Sequence, residues 1–363
     1  MQKRIESVDI LRGFTIIAMI LVNTPGSWSY VYQPFLHSEW HGLTPTDLIF
    51  PFFLFIVGIS ITYSYKNKLN TRETYKKVFI RSAKLVGLGL FLNLFVPYVP
   101  FVQDFETLRL PGVLQRIGIV FFVSAILYLN FNWKIILVIS ASILLFYWLL
   151  LGFVPFLDGL SPTFERAPNN WANYIDVSVL DRHMWQPDYD PEGILSTLSS
   201  IVSCLLGVLI GKLLASQETN KARKLLGLAM VFLALGYVFD GVFPINKALW
   251  SSSYVLATTG WAILILAIIY YIVDVKNLKF GKVFKYVGMN AITIYFISNF
   301  ISKSFYLLKV GSDNNIHSFL YNTIFVHTFV PQKMASLLYA MAVALFYIGL
   351  AYVMYRRKLF LKV

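Results

Sequence analysis

Ten long apolar segments dominate this sequence and restrict the folds that it can adopt. A helix needs about 20 mostly apolar residues to cross the roughly 30 Å hydrocarbon layer of a bilayer. Segments that meet this need lie at about residues 9–25, 45–65, 78–97, 111–130, 134–155, 193–214, 225–243, 250–273, 287–308 and 334–355. Only helices and closed barrels satisfy their backbone in lipid, and runs this continuous are not the alternating strands of a barrel. The sequence predicts an all-α polytopic membrane protein of about ten transmembrane helices, with residues 1–363 forming a single domain.

The distribution of positive charge predicts the orientation of these helices. The formal net charge is +13, yet only 13% of residues are charged, against roughly 25% in soluble domains. If ten segments cross the bilayer, 23 of the 31 lysine and arginine residues lie on the side that holds both termini. The positive-inside rule makes that side cytoplasmic. The basic excess is therefore a topology signal, so the predicted partners include membrane lipids and exclude nucleic acid.

The longest external segment is predicted to fold as a cap at about residues 156–192. Four large aromatic residues lie among its acidic residues, a mixture too aromatic for a disordered linker. The aromatic residues are Trp171, Tyr174, Trp185 and Tyr189.

The first external loop holds two of the five histidines, His37 and His41, with Glu39 between them. The zinc-protease pattern requires a glutamate directly after the first histidine of a helical H-E-x-x-H motif, so the spacing here argues against it. We predict no metal site. Two interpretations of His37 remain open: an interfacial histidine of an aromatic belt, or a general base that acts near neutral pH.

Asn23 and Asp47 flank this loop, at the end of the first span and the start of the second. Asn23 either bonds a neighbouring helix or contributes to a site, and Asp47 follows Thr44 and Pro45, which favour the start of a helix. An acid in the first turn also suits the helix dipole without any functional role.

Arg116 lies inside the fourth apolar segment, where a cation is costly and usually faces a cavity or a counter-charge. Asn93, Gln115, Asn290 and Asn299 also interrupt apolar runs. This set of polar residues predicts a polar path through the helices, which a protein that merely anchors others would not need.

Basic residues also collect where helices enter the cytoplasm. Asp9 and Arg12 are three residues apart on one helix and are predicted to pair, and Arg81 and Lys84 share the spacing. They either contact anionic lipid headgroups or form a cationic collar for a phosphate-rich ligand.

Eight sequence blocks in one order resemble the heparan-α-glucosaminide N-acetyltransferase family. The first two blocks are RIESVDILRGFTIIAMILVN and HSEWHGLTPTDLIFPFFLFIVGISI. The likeness continues through RLPGVLQRIGI, YDPEGILSTLSSIV, LGVLIGK, PINKALWSSSYVL, VGMNAITIYF and the YRRKLF ending, so it covers essentially the whole chain.

This resemblance implies an acetyl-CoA-dependent N-acetyltransferase without a metal. The family moves acetyl from cytoplasmic acetyl-CoA to the amine of a terminal glucosamine, as in heparan sulfate and heparin, on the other side of the membrane. Its active histidine lies in a His-x-x-Trp-x-Gly-Leu-Thr pattern that falls on His37, and its asparagine beside the acetyl group matches Asn23. The family's lysosomal members carry an extra N-terminal region ahead of the first block, which favours a bacterial inner-membrane form here.

If the chain is such an acetyltransferase, the charge and type of its other polar residues indicate which substrate each would contact. The anionic CoA is expected to contact Arg12, Arg81, Lys84, Lys285 and Arg116. The amino sugar is expected to contact Trp40, Asp47, Asp190, Glu192 and Asn246.

A secondary transporter for sugars or other small polar solutes is the alternative function. Ten spans with polar interior residues are compatible with one, although no paired half-repeats are evident. The acceptor, the choice between direct transfer and an acetyl-histidine intermediate, and the oligomeric state stay open; a homodimer is one arrangement that the sequence allows.

Overall fold

A computed structural model describes residues 5–66, 68, 70–157, 159–311 and 314–360. Lys3, Arg4 and Lys362, which contribute to the charge asymmetry, and Asp158 in the cap segment lie outside the described residues. The helices of the described part are α1 (Glu6–Asn23), α2 (Ile49–Tyr65), α3 (Arg72–Leu94), α4 (Val113–Asn130), α5 (Trp133–Phe153), α6 (Trp171–Leu180), α7 (Ile194–Ala215), α8 (Lys221–Asp240), α9 (Ser252–Tyr270), α10 (Lys282–Met289), α11 (Ala291–Leu307), α12 (Ile316–Ile324) and α13 (Gln332–Arg356). A short antiparallel pair joins β1 (Lys309–Val310) to β2 (Asn314–Asn315). The all-α class is confirmed.

Seven helical segments of the described residues are long and apolar enough to cross a membrane. They are Pro45–Tyr65, Val113–Asn130, Trp133–Phe153, Ile194–Ala215, Lys221–Asp240, Ser252–Val275 and Gln332–Arg356. The other three predicted segments are also helical, but α1 and α3 begin with charged residues and α11 has only 17 residues. Helix is thus confirmed for all ten segments, whereas the count of ten crossings remains a prediction.

Helices α2 and α7 run parallel with their backbones in direct contact. A Cβ atom on Gly58 would lie 1.9 Å from the Cys204 carbonyl oxygen, and one on Gly207 would lie 2.0 Å from that of Phe55. Only glycine, which has no Cβ, permits two helix backbones to come this close. The free thiol of Cys204 is buried at this contact. The contact fixes the start of α2 beside the start of α7, and both starts contribute to the site described below.

The loops predicted to be external meet at one end of the helix bundle. The amide of Gly42 donates to the Ile245 carbonyl over 2.8 Å, and the Trp40 indole donates to the Phe164 carbonyl over 2.9 Å. At the other end, the Asp274 carboxylate accepts from the amides of Glu6 and Ser7 at the start of α1. The alternation of loops between two ends therefore agrees with the order of the apolar segments.

The cap segment contains its own helix and packs on the start of α7. The Asn170 side chain caps α6, and Phe156 stacks on Trp171 with ring centroids 4.1 Å apart. The buried carboxylate of Asp176 accepts from the amide of Ile194 over 2.9 Å, which joins α6 to α7. Aromatic stacking and this helix cap explain how an external segment without a long apolar run becomes ordered.

Candidate active site

The carboxylate of Asp47 organises the loop that precedes α2. Pro45 begins the short turn Pro45–Leu48, as its fixed φ favours. One oxygen of the fully buried carboxylate, Oδ2, accepts from the backbone amides of Ser38 and Thr44, each over 3.1 Å. The hydroxyls of the same two residues lie 3.1 and 2.9 Å from Oδ2. These bonds fix the loop and orient the second oxygen, Oδ1.

Asp47 Oδ1 contacts Nδ1 of His37 at 2.6 Å. The short distance is that of a charge-assisted hydrogen bond, in which the ring N–H donates to the carboxylate. With its proton on Nδ1, the ring carries its free lone pair on Nε2. The His37 side chain is 49% exposed, so this lone pair is accessible to a substrate. A carboxylate that sets the tautomer of an accessible imidazole is the arrangement by which histidine acts as a base or nucleophile.

Lys247 is the third charged member of the site. Its Nζ lies 3.6 Å from Asp47 Oδ1, 3.0 Å from His37 Nδ1 and 3.2 Å from His37 Nε2. Burial lowers the pKa of Lys247, while the negative charges of Asp47 and Glu192 oppose that shift. The sequence interpretation missed this residue, although Lys247 lies within one of the matching blocks.

Asn246 and His41 join the Lys247 segment to the first loop. The two residues form an antiparallel bridge, and the amide nitrogen of Asn246 lies 3.3 Å from His41 Nδ1. His41 Nε2 lies 3.2 Å from the Glu165 carboxylate in the cap. Trp40 contacts the cap as well, with its ring edge to face against Tyr189 at 5.3 Å. His41, Trp40 and the buried Asn246 therefore hold loops together around His37.

Arg109 binds both acids that the sequence assigns to an amino sugar. It makes a bidentate pair with Asp190 at 2.8 and 2.6 Å and reaches Glu192 at 2.5 Å. Burial by itself lowers the pKa of Arg109, but the two carboxylates together raise it by more, so the net shift is upward and the guanidinium remains charged. A sugar amine would share the Asp190 and Glu192 carboxylates with this guanidinium.

Arg116 is fully buried in the first turn of α4 beneath the cap. Its Nη2 donates to the Gly193 carbonyl over 3.0 Å and to the Ser196 hydroxyl over 2.5 Å, and its guanidinium lies 5.1 Å from the centroid of the Trp250 ring. Its Nε and Nη1 have no hydrogen-bond partner among the described residues. The structure thus gives Arg116 two donor nitrogens without partners among the described residues, in the interior where the sequence predicts a polar path.

Asn23 is the last residue of α1 and is exposed. Among residues 5–66 and the other described ranges, no side-chain hydrogen bond joins Asn23 to His37 or Asp47. The structure therefore brings together the histidine and the acid of the first loop, and leaves the amide of Asn23 without a role in that pair.

The predicted cytoplasmic collar is made of residues with separate local contacts. Arg12 pairs with Asp9 at 2.9 Å, as its spacing predicts, and donates to Ser60 in α2 over 2.7 Å. The remaining three are Lys285, which pairs with Glu6 at 2.9 Å, Arg81, which lies over the Phe121 ring at 4.7 Å, and the exposed Lys84.

The chain matches known proteins along most of its length. The family model described as "Heparan-alpha-glucosaminide N-acetyltransferase, catalytic" matches residues 4–237, a range that includes His37, Asp47, Asp190 and Glu192. The chain is 32% identical to heparan-alpha-glucosaminide N-acetyltransferase of Homo sapiens and 31% identical to that of Mus musculus. Each alignment covers 99% of this chain and 60% of the relative, so the chain spans less than two thirds of either relative's length.

Proposed function

This chain belongs to the heparan-alpha-glucosaminide N-acetyltransferase family, and we propose that it transfers acetyl from cytoplasmic acetyl-CoA to an amino sugar on the external side of the membrane. The acceptor in this proposal is the amine of a terminal glucosamine or a related sugar. The observation that carries it is the 2.6 Å contact between His37 Nδ1 and Asp47. That contact supplies an accessible imidazole lone pair, which can act as the base that frees the amine or as the nucleophile that carries the acetyl group.

The reaction needs a neutral amine, because a protonated sugar amine has no lone pair with which to attack. In direct transfer, Nε2 of His37 takes a proton from the sugar ammonium and later releases it outside. The amine attacks the thioester carbon and the C–S bond breaks. One of the two protons of the amine nitrogen goes to the CoA thiolate, and the other stays on the amide. In the alternative, the Nε2 lone pair attacks the thioester carbon, the C–S bond breaks and CoA leaves as the thiolate. The neutral sugar amine then attacks the acetyl carbon, the bond to Nε2 breaks, and the proton that the amine nitrogen loses goes to the thiolate. Both routes use the same lone pair.

The proposal includes ten membrane crossings with both termini in the cytoplasm of a bacterial inner membrane. The distribution of 23 basic residues to one side and eight to the other supports this orientation. The helical character of all ten segments and the clustering of loops at two ends of the bundle support it further. Reporter fusions to the C-terminus would contradict the proposal if they were active only outside.

The substrates are proposed to bind at opposite ends of the bundle. Trp40, Asn246 and the acids Asp47, Asp190 and Glu192 are candidates for the sugar. For CoA at the cytoplasmic end, the exposed ammonium of Lys84 is the most available group, whereas Arg12, Arg81 and Lys285 would have to exchange or share their present contacts. Arg116 lies beneath the cap at the sugar end, so its unpartnered nitrogens could meet only the acetyl-bearing end of this substrate.

Purified protein with acetyl-CoA and glucosamine tests this function directly. We expect N-acetylglucosamine by mass spectrometry of the sugar fraction, and acetylated His37 in the protein if the covalent route operates. His37→Ala should abolish the product while acetyl-CoA still binds. In proteoliposomes, movement of labelled glucosamine without acetyl-CoA, and without acetylation, would instead favour a transporter.

A further inference from the structure

We propose that Lys247 is a catalytic residue of this acetyl transfer, whose ammonium donates a hydrogen bond to the acetyl carbonyl oxygen as negative charge develops there. The inference rests on the proposed function and adds to it the group that stabilises the tetrahedral intermediate. In this role Lys247 stays an ammonium, with the Asp47 carboxylate 3.6 Å away as its counter-charge, and it adds no proton to the balance given above.

The position of Lys247 relative to the His37 ring carries the argument. Its Nζ lies at nearly equal distances from both ring nitrogens, 3.0 Å from Nδ1 and 3.2 Å from Nε2. An atom so placed does not lie along the lone pair of either nitrogen and packs against the ring instead. Nδ1 is already bonded to Asp47, and in the part of the chain that the structure describes no hydrogen-bond partner other than this ammonium reaches Nε2. The ammonium is therefore adjacent to the reacting nitrogen without blocking it.

A carbonyl carbon that reacts at Nε2, or beside it, brings its oxygen next to this ammonium. In the acetyl-histidine route the carbonyl carbon bonds to Nε2 itself, and in direct transfer the amine that Nε2 deprotonates attacks at the same place. A donor placed where charge develops stabilises the transition state more than the ground state. Asn23, which the family resemblance places beside the acetyl group, has no side-chain hydrogen bond to His37 or Asp47 among the described residues.

Lys247 is held by a rigid segment, as a preorganised donor requires. Its carbonyl accepts from the amide of Trp250 over 3.1 Å, and the side chain of Asn246 accepts from the amide of Leu249 over 2.8 Å. Asn246 and Trp250 are fully buried, and the bridge to His41 ties this turn to the first loop. The backbone of Lys247 is thereby fixed relative to His37.

A purely structural role, neutralising the buried Asp47, is the competing explanation. The Asp47 carboxylate already accepts from His37 and from the amides of Ser38 and Thr44, and Lys247 is more distant at 3.6 Å. The Lys247 side chain also keeps 20% of its surface exposed. Its ammonium thus has donors left over after the contacts with Asp47 and His37.

Lys247→Met separates the two roles, because methionine keeps most of the side-chain volume and removes the charge. We expect kcat to fall by about 10²–10³-fold, the usual effect of losing one such donor, with less than a threefold change in the KM of acetyl-CoA or glucosamine. Lys309→Met, which removes an exposed lysine from β1, is the matched control and should retain wild-type kcat.

Chemical restoration of the ammonium keeps the test decisive if the methionine variant folds poorly. The sequence has a single cysteine, Cys204, and it is buried, so a Lys247→Cys variant can be alkylated selectively with 2-bromoethylamine. This treatment rebuilds a side chain of lysine length with a terminal ammonium. We expect at least a tenfold gain in kcat on alkylation, with the modification verified by mass spectrometry.

Two outcomes overturn the proposal. Either Lys247→Met transfers acetyl at a rate near that of wild type, or the alkylated cysteine variant binds acetyl-CoA normally yet recovers no activity. These failures leave the proposed function intact, since wild type would still make the acetylated sugar. A wild-type protein that makes neither acetylated sugar nor acetyl-histidine would refute the proposed function itself.

Discussion

Asp47→Asn should reverse the tautomer of His37 while keeping the loop folded. The backbone amides of Ser38 and Thr44 can only donate, and both point at Oδ2 of the aspartate. The asparagine oxygen must therefore occupy that position, which directs its NH2 group at Nδ1 of His37. An NH2 group donates, so Nδ1 becomes the acceptor and the ring proton moves to Nε2. The lone pair that the reaction uses is then lost.

The expected loss in kcat is about 10⁴-fold, the scale known for the same exchange in acid–histidine pairs of hydrolases. Stability should fall by only about 1–3 kcal/mol, because the charge-assisted bond to His37 is weakened while the two amide donors keep an acceptor. The change also removes the counter-charge beside Lys247, so acetyl-CoA binding should be measured separately.

The assay is acetyl transfer to glucosamine by detergent-purified protein, together with a thermal melt of the same sample. Asp188→Asn is the control, since it removes a carboxylate of the cap that pairs with Arg166 at the exposed surface. An Asp47→Asn enzyme with more than a tenth of wild-type kcat would refute the tautomer argument. Loss of the cooperative melt would refute the claim that the amides of Ser38 and Thr44 suffice to hold the loop.

Four further predictions follow from described contacts. His37→Ala should reduce kcat by about 10²–10⁴-fold if His37 acts as a base, and by more if it carries the acetyl group. His41→Ala should reduce kcat far less, because His41 only joins loops. Equal losses of kcat in the two variants would contradict this. Burial raises the pKa of Asp176 to about 6, above its unfolded value of 3.8, so the folded protein binds the extra proton and its stability should decrease as pH rises from about 4 to 6. The decrease is about 2–3 kcal/mol and should be absent from melts of Asp176→Asn. Gly207→Ala should lower stability by about 1–3 kcal/mol, because its Cβ would lie 2.0 Å from the Phe55 carbonyl oxygen, while Gly227→Ala, where the space is open, should melt like wild type. Arg81→Ala combined with Lys84→Ala should raise the KM for acetyl-CoA with little change in kcat; an unchanged KM would mean that these two residues contact lipid instead.

The helices were predictable from the sequence because crossing a bilayer demands a continuous apolar run of a defined length. The Asp9–Arg12 pair and the turn at Thr44 and Pro45 were also predictable, because each depends only on residues at most four apart in the sequence. The ten crossings and the roles of the individual site residues stay predictions.

Contacts between distant parts of the chain were not predictable in this way. Lys247 meets His37 across 210 residues, and no local pattern indicates that an external lysine will pack on that ring. For the same reason, the sequence assigned Asp190 and Glu192 to a substrate without indicating that Arg109 binds both. Motifs identify reactive residue types, whereas their partners depend on how loops meet at the end of the bundle.

Helix α2 sets the distance between the His37–Asp47 pair at one end of the bundle and the Arg12 contact nearer the other end. Asp47 precedes its first turn, and Ser60, thirteen residues later, accepts the hydrogen bond of Arg12. At 1.5 Å per residue these contacts are about 20 Å apart along the helix. The close contacts at Gly58 and Gly207 hold α2 against α7. We therefore expect this distance to stay nearly constant when substrates bind and leave. A thioester whose phosphates stay at the Arg12 end must therefore reach about that far to present its acetyl group to His37, so donors with a shortened arm should bind and yet fail to react.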